Sequence, residues 1–348
     1  MTVTRLADRP HVLVARLDNA GDVLLAGPAI RAVARSARRV TLLCGPAGRS
    51  AAELLPGVDE VVTFAAPWVS FDAPAVDRAT VDALVDRLAR LGLDQALVLT
   101  SFHQSPLPLA LLLRLAGVPV VAAISEDYPG SLLDVRHAVD DDRHEVERGL
   151  SLVATLGHVL APEDDGRLAV RRPLPEWRPF PGRYVVVHPG ASVPARGWDA
   201  TRAAALVDAL VARGWRVAVT GAPSEAGLTA VVAGPARPEV ADLGGRTDLA
   251  GLAATLDAAA VVVCGNTGPA HLAAAVGTPV VSIFAPVVPA ARWRPWGVPV
   301  VLLGDQSIPC AGCRARVCPY EGQPCLAEVT VDAVLAGVDS LTEARVAS

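Results

Sequence analysis

The chain has 348 residues and a net charge of −5; 52% of the residues are hydrophobic and 19% are charged. This composition is typical of a folded globular protein, and the length exceeds what one core usually serves, which predicts two domains. No block of basic residues interrupts the sequence, so we expect no nucleic-acid partner, because phosphate backbones are bound through clustered positive charge.

Strands and helices alternate through the first half of the chain. The run "HVLVARL" predicts the first strand, and "VLLAGPAIRAVARSA" predicts the helix that follows its loop. "RVTLLCG", "VDEVVTF" and "QALVLTSF" predict further strands, and "TVDALVDRLARLG" predicts an amphipathic helix before the last of them. Such alternation predicts a parallel sheet covered on both faces, and we assign residues 1–165 to a Rossmann-like domain.

A linker and a second alternating half follow. Residues 166–182 are rich in proline and charge and show no clear period, which is typical of a linker. The alternation restarts at "YVVVHPG", so residues 183–348 are predicted to form a second Rossmann-like domain. The predicted fold class is therefore α/β. Ligands are expected outside the carboxyl ends of the strands, in a cleft between the two halves.

The loop after the first predicted strand, "DNAGD", carries two carboxylates. Asp22 stands where this loop enters a helix, so it either caps the helix or faces the cleft as a general base. Asp18 competes for the role of base from an earlier position, and Gly21 would let the backbone turn tightly. Neither a P-loop nor the dinucleotide fingerprint occurs in this segment, which excludes those two modes of phosphate binding here.

Two loops of the second half carry one charged candidate each. Arg196, in "HPGASVPARGW", is either a solvated surface residue or a clamp for phosphate oxygens, which a guanidinium holds in two-point contact. Glu225, in "TGAPSEAG", either binds the hydroxyls of a ribose or sugar or caps the next helix. Both loops follow predicted strands, which is where the fold class predicts a site.

The segment "CGNTGPAH" reads as a strand end followed by the start of a helix. Asn266 or Thr267 would cap this helix, Gly268 gives backbone freedom, and Pro269 suits the first turn. The free N–H groups of such a helix start can hold a diphosphate. His271, on the first turn, is either a packed side chain or a part of that anion site.

The six cysteines suggest a metal site only near the end of the chain. Cys44 and Cys264 fall at strand ends and are predicted to be small core residues. The others lie close together in "PCAGCRARVCPYEGQPCL", at Cys310, Cys313, Cys318 and Cys325. One CxxC pair with a wider second spacing is compatible with a structural zinc. An iron–sulfur cluster and a loop of reduced thiols are the alternatives.

The start of the chain, "MTVTRLADRPH", is charged and lacks the apolar segment of a signal peptide. A cytoplasmic location is therefore expected, and there the cysteines would be reduced or metal-bound rather than paired. The longest uncharged run, 258–291, contains Gly-Asn-Thr-Gly-Pro and Gly-Thr-Pro, which would break a helix that spans a membrane.

The quoted segments together resemble glycosyltransferase family 9, the ADP-heptose:lipopolysaccharide heptosyltransferases. "VLVARLDNAGDVLLAGPAIRAV", "VVVHPGAS" with "RGW", and "GNTGPAHLAAAVGTPVVSIFAP" carry the resemblance, in the expected order and spacing. The resemblance implies a GT-B fold, in which two Rossmann-like domains face each other across a cleft. It implies acceptor binding by the N-terminal domain and donor binding by the C-terminal domain. The reaction would be an inverting transfer of a sugar, by default heptose from ADP-heptose, that requires no metal.

The resemblance also assigns roles to residues. It places the base on Asp22, the cation that holds the diphosphate on Arg196, and the acid that contacts the ribose on Glu225. The element that surrounds the phosphates falls on Thr267, Gly268, Pro269 and His271. One position departs from the family, because Asn266 stands where an aspartate is usual, and it would also contact the donor.

The acceptor is the least constrained part of the prediction. Its contacts are expected around "SFHQSP", with His103 and Gln104 as candidates, and around the "AAPWVSF" loop. A glycan of the lipopolysaccharide type, a lipid-linked glycan or a small molecule would each serve, and a lipid-linked acceptor would imply peripheral membrane association. Two alternatives stay open: a sugar-nucleotide epimerase or hydrolase of GT-B fold, and a catalytically silent sugar-nucleotide-binding protein.

Overall fold

The structure is a computed structural model that describes residues 9–69, 73–101, 103–140 and 142–344. The chain divides into two units, Met1–Ala169 and Val170–Ser348. The boundary between these units falls inside the segment 166–182 that the sequence predicts as a linker.

The first unit is built on one parallel sheet of six strands. In chain order they are β1 (His11–Arg16), β2 (Arg39–Cys44), β3 (Glu60–Thr63), β4 (Gln95–Val98), β5 (Val120–Ile124) and β6 (Val135–His137). Their order across the sheet is β3-β2-β1-β4-β5-β6. The central strand β1 is buried along its whole length, because helices cover both faces of a parallel sheet.

Among the described residues of this unit, six helices connect and cover these strands. They are α1 (Ala20–Leu25), α2 (Gly27–Ser36), α3 (Arg49–Leu54), α4 (Arg78–Arg90), α5 (Leu107–Leu115) and α6 (Glu145–Ala154). The sequence predicts one helix where α1 and α2 lie, and the structure divides it at Ala26. The reason is Pro28, at the start of α2, which has no N–H to donate to the carbonyl four residues earlier.

The second unit repeats this plan. Its strands are β7 (Tyr184–His188), β8 (Arg216–Gly221), β9 (Val240–Gly244), β10 (Val261–Gly265), β11 (Val280–Ile283) and β12 (Val300–Leu303). Its helices are α7 (Ala200–Ala212), α8 (Ala226–Ala233), α9 (Leu249–Asp257), α10 (Gly268–Val276), α11 (Ala290–Trp293), α12 (Pro324–Ala327) and α13 (Val331–Ala344). Each unit has its own apolar core, around Leu13 and Leu43 in the first and around Val187 and Val263 in the second.

Both sheets have the same strand order. The second sheet runs β12-β11-β10-β7-β8-β9, so within each unit the first and fourth strands are neighbours at the centre. The connections leave these two strands in opposite directions, and ligands bind outside the carboxyl ends of strands at such a topological switch point. We call the carboxyl ends of β1 and β4 the first switch point and the carboxyl ends of β7 and β10 the second. Among the described residues, no helix combines the length and the hydropathy that crossing a bilayer requires.

Candidate active site

Asp22 lies at the first switch point, inside the first turn of α1. The N-cap position of this helix belongs to Asn19, so of the two alternatives for Asp22 the structure rejects the helix cap. The third position of a helix still favours a carboxylate, because the N-terminal N–H groups carry partial positive charge. Its side chain is partly exposed, and its Oδ1 accepts a hydrogen bond of 3.0 Å from Nη2 of Arg16.

Arg16, the last residue of β1, gathers three carboxylates around one buried guanidinium. Its Nε lies 2.8 Å from Oδ2 of Asp18, and its Nη1 lies 3.0 Å from Oε2 of Glu145. Its Nη2 reaches Asp22, as described above. Sequence reasoning missed Arg16 and Glu145 as parts of this site. The signal was present in Arg16, a charged residue at the end of a strand that is otherwise apolar.

Asp18 is held within this cluster rather than presented to solvent. Ser101 and Gln104, in the loop after β4, both donate hydrogen bonds to its carboxylate. Burial raises the pKa of Asp18 to about 6, although the Arg16 guanidinium acts in the opposite direction and the Asp22 carboxylate adds to the rise. Gln104 was predicted to contact the acceptor substrate, and in the structure its side-chain amide donates a hydrogen bond to Asp18. His103, the other predicted acceptor contact, is an exposed residue of the same loop.

Arg196 lies at the second switch point. It ends a short 3-10 turn, Pro194–Arg196, in the loop after β7, and its side chain is partly buried. The loop packs directly on the end of β10, because a Cβ built on Gly265 would lie 2.8 Å from the carbonyl oxygen of Arg196. The structure therefore brings Arg196 beside the segment that starts α10, as the sequence motif predicts.

Glu225 reaches the same region from the loop after β8. It occupies the N-cap position of α8 without a side-chain capping bond, and its Oε2 accepts a 2.8 Å hydrogen bond from the N–H of Ala222. Its carboxylate lies against Gly190, where a Cβ would overlap with Oε1, and 3.8 Å from Nε2 of His188. Burial lowers the pKa of His188, and Glu225 opposes this shift. The imidazole is therefore neutral near pH 7, which leaves the negative charge on Glu225 unneutralised by this neighbour.

The start of α10 has the features of an anion site. Thr267 is the N-cap residue, but its hydroxyl donates to the carbonyl of Gly265 at 3.4 Å instead of capping the helix. Pro269 follows in the first turn, as predicted, and His271 is buried in the same turn. Asn266 is only 4% exposed, and its Nδ2 has no hydrogen-bond partner among the described residues. An unsatisfied buried amide is costly, by about 1–3 kcal/mol, so a ligand that accepts its hydrogen bond would be stabilised there.

The four cysteines near the end of the chain are free thiols. Cys325 is buried in α12, Cys310 and Cys318 are half-buried, and Cys313 is exposed. Burial raises the pKa of Cys325, and the three other thiols contribute to the rise, so the four lie in one neighbourhood. Among the described residues, however, no three His, Cys, Asp or Glu side chains are arranged to hold a metal ion. Thiolates would suit zinc chemically, but this arrangement does not form its coordination shell, and the zinc site stays a prediction.

The segment around these cysteines contacts the loop that carries Arg196. The N–H of Ala195 donates to the carbonyl of Arg316 at 2.9 Å, and Nε2 of Gln323 donates to the carbonyl of Ala195 at 2.7 Å. Gln323 adopts a left-handed backbone conformation (φ 47°), which is costly for a residue other than glycine. The cysteine segment, residues 310–325, therefore holds both the backbone N–H and the backbone carbonyl of Ala195, the residue before Arg196.

Comparisons with known proteins agree with this geometry. The family model for glycosyltransferase family 9 (heptosyltransferase) matches residues 81–323. Lipopolysaccharide heptosyltransferase 3 of Escherichia coli is 34% identical over 92 residues, which are 26% of this chain and 27% of that protein. The match therefore spans about a quarter of that relative's length.

Solved structures extend the likeness over nearly the whole chain. A glycosyl transferase of family 9 from Veillonella parvula has a TM-score of 0.74 at 17% identity, covering 96% of this chain and 97% of that one. ADP-heptose lps heptosyltransferase II of E. coli has a TM-score of 0.74 at 19% identity, covering 96% and 99%. E. coli heptosyltransferase WaaC, with ADP-2-deoxy-2-fluoro heptose, has a TM-score of 0.72 at 20% identity, covering 95% and 99%.

At sequence identities of 20% or less, structural similarity shows a shared fold and nothing more. It confirms the predicted class, α/β with two Rossmann-like units of the GT-B type. The match of the family model reaches from α4 in the first unit to the cysteine segment in the second. The chain therefore belongs to glycosyltransferase family 9.

Proposed function

We propose that the protein is an inverting glycosyltransferase that transfers a heptose from a nucleotide-diphosphate donor such as ADP-heptose. The acceptor would be a glycan of the lipopolysaccharide type. One observation carries the proposal: the first switch point presents a partly exposed carboxylate, Asp22, while the second presents Arg196 beside a helix N-terminus. The related E. coli enzyme WaaC is known with ADP and with ADP-2-deoxy-2-fluoro heptose, which supports this class of donor.

The chemistry assigns the first step to Asp22. An acceptor hydroxyl attacks the anomeric carbon of the donor sugar, and its proton passes to the Asp22 carboxylate as the new C–O bond forms. The bond from the anomeric carbon to the diphosphate oxygen breaks, and its electron pair leaves with the nucleotide diphosphate. Because the hydroxyl enters on the face opposite the leaving group, the configuration at the anomeric carbon inverts.

The second switch point would stabilise the departing diphosphate. Arg196 supplies a full positive charge with paired N–H donors, and the first turn of α10 supplies N–H groups and its partial charge. Both act on negative charge that grows as the bond breaks, so they lower the barrier rather than only bind the donor. Glu225 would accept hydrogen bonds from ribose hydroxyls, while Asn266 and His271 would contact the donor beside the phosphates. No step in this scheme is assigned to a metal.

The setting of the reaction is part of the same proposal. We place it in the cytoplasm, with the acceptor presented at a membrane surface if it is lipid-linked. Leu111 and Leu115, four residues apart on α5, are exposed and would suit a peripheral contact with lipid. For the cysteines, we propose that a structural zinc requires a rearrangement of the segment 310–325. Elemental analysis of the protein purified without chelators tests this, and a preparation without metal that folds and binds nucleotide would reject it.

The transfer itself is tested with purified protein, ADP-heptose and a lipopolysaccharide acceptor that lacks heptose, with the product identified by mass spectrometry. Asp22→Asn should lower turnover by about 100-fold or more, because general-base catalysis contributes at least that much, while the affinity for ADP persists. Asp82→Asn is the matched control, since Asp82 is an exposed residue of α4 that pairs with Arg78. Unchanged transfer by Asp22→Asn would reject the base. Release of free sugar or an epimer without acceptor would favour the hydrolase or epimerase alternative.

A further inference from the structure

Arg16 holds a position between the rigid centre of the first sheet and the proposed base. It is the last residue of β1 and pairs with Cys44 of β2, and its neighbour Ala15 pairs with both Leu43 of β2 and Val98 of β4, so the backbone that carries Arg16 leaves a strand held on both sides. Its guanidinium meets three carboxylates that differ in exposure. The side chains of Glu145 and Asp18 are 2% and 8% exposed, whereas that of Asp22 is 20% exposed.

The two buried carboxylates have further partners. Glu145, the first residue of α6, also lies 3.2 Å from Nε of Arg148, which is itself buried. Asp18 receives hydrogen bonds from Ser101 and Gln104. Ser101 in turn accepts a 3.0 Å hydrogen bond from Nη2 of Arg16. These contacts fix the plane of the guanidinium, because the fork of N–H donors on arginine is rigid and each carboxylate occupies a different part of it.

We propose that Arg16 is the positioning residue for Asp22, and that Asp18 and Glu145 act only by holding Arg16 in place. Through Nη2, Arg16 fixes Oδ1 of Asp22 and thereby the orientation in which this carboxylate meets the acceptor hydroxyl. This inference rests on the proposed function of Asp22 as the base. It assigns no contact with substrate to Arg16, and it removes Asp18 from the candidates for the base.

Local structure alone would hold Asp22 poorly. It lies in α1, a helix of six residues whose N-cap, Asn19, makes no side-chain capping bond. The backbone of α1 is held by its buried residues Val23, Leu24 and Leu25, but this packing does not set the side-chain torsions of the partly exposed Asp22, which its bond to Arg16 restricts. A misplacement of about 1 Å at a reacting group can cost about 100-fold in rate, which gives the anchor a measurable consequence.

Arg16→Lys tests the inference because lysine keeps the positive charge but, as a point donor on a flexible stem, does not reproduce the fork. We expect kcat to fall by about 10- to 100-fold, with the KM for the donor and the Kd for ADP within about 2-fold of wild type. A purely structural role would instead lower kcat and ADP binding together.

A second variant covers the case in which Arg16→Lys does not fold. Glu145→Ala removes the anchor at Nη1 without touching Arg16 or Asp22, and it should lower kcat several-fold at unchanged ADP affinity. Arg39→Lys is the matched control, since Arg39 forms an exposed pair with Glu60 at the opposite end of its strand. Full kcat in both Arg16→Lys and Glu145→Ala would overturn the inference. So would a loss of turnover in Asp18→Asn that equals the loss in Asp22→Asn.

A crystal structure of each variant separates this inference from the proposed function. The inference requires the Asp22 carboxylate to be displaced in Arg16→Lys and in Glu145→Ala, whichever sugar the protein transfers. A carboxylate that keeps its wild-type place would overturn the inference and leave the proposed function intact. A wild-type protein that transfers no sugar from any donor offered would reject the proposed function, and the displacement would still be decided by the structures.

Discussion

The carboxylate of Glu225 lies against the α-carbon of Gly190, so closely that no side chain fits at position 190 without moving it. Nε2 of His188, the last residue of β7, lies 3.8 Å from Oε2 of the same carboxylate. Glycine at this position is thus required by the place of a neighbouring side chain rather than by its own backbone angles. The contact between Gly190 and Glu225 joins the loop after β7 to the loop after β8. It thereby holds Glu225 at the second switch point.

Gly190→Ala should therefore weaken nucleotide binding. The added methyl group would displace the Glu225 carboxylate from the site of its proposed ribose contact, and we expect the Kd for ADP to rise by about 10-fold, the loss of one hydrogen bond to a charged group. Gly227→Ala is the matched control, because no atom lies within 4 Å of a Cβ built there. Calorimetric titration with ADP measures both. Equal affinities in the two variants would show that Gly190 does not set the position of Glu225 for binding.

Asn266 should cost stability and contribute to binding. Its buried Nδ2 has no hydrogen-bond partner among the described residues, so Asn266→Ala loses no hydrogen bond donated by this group and removes an unsatisfied buried donor. We expect the unbound variant to have an equal or higher Tm, while the Kd for the sugar nucleotide rises by about 10-fold. Thermal unfolding with and without the donor measures both effects. A lower Tm at unchanged donor affinity would mean that the amide serves the fold and not the ligand.

Asp18 should make the stability of the protein depend on pH. Its folded pKa, raised to about 6, exceeds the ordinary value of 3.8. Between these two pH values the folded chain holds a proton that the unfolded chain has lost, so stability falls as pH rises through this window. Asp18→Asn has no titrating carboxyl group at this position, so it does not lose stability in this way. The Tm of the variant minus the Tm of wild type should therefore increase by a few degrees from pH 4 to pH 7. A difference in Tm that stays constant over this range would contradict the shift.

Gln323 should affect nucleotide binding from outside the proposed contacts. Its amide donates to the carbonyl of Ala195, the residue before Arg196. Gln323→Ala removes this bond and loosens the loop, and we expect ADP to bind about 3- to 10-fold more weakly, the cost of one neutral hydrogen bond. Gln306→Ala is a useful comparison, because Gln306 donates to the carbonyls of Phe284 and Gly304 instead. If the two variants bind ADP equally, the contact with Ala195 does not support the site.

The sequence predicted those parts of the site that local pattern determines. Asp22, Arg196, Glu225 and the start of α10 all follow strands in the sequence, and in a parallel sheet strand ends meet at one edge. Arg16 and Glu145, which form an ion pair, are 129 positions apart in the chain. The local periodicity of apolar residues cannot predict a contact over such a distance. The sequence left open whether Asp22 caps the helix for a related reason: Asp22 and Asn19 are both residue types that favour helix starts, and only the backbone decides between them.

The identical strand order of the two sheets means that one scaffold is used twice, with opposite electrical character. At the first switch point three carboxylates surround Arg16, and the surplus charge is negative. At the second, Arg196 and the dipole of α10 balance Glu225. Under the proposed function, a polyanionic donor would be repelled by the carboxylates at the first switch point and attracted by the cationic groups at the second before any specific contact forms. The duplicated fold would then separate the two proposed substrates by charge.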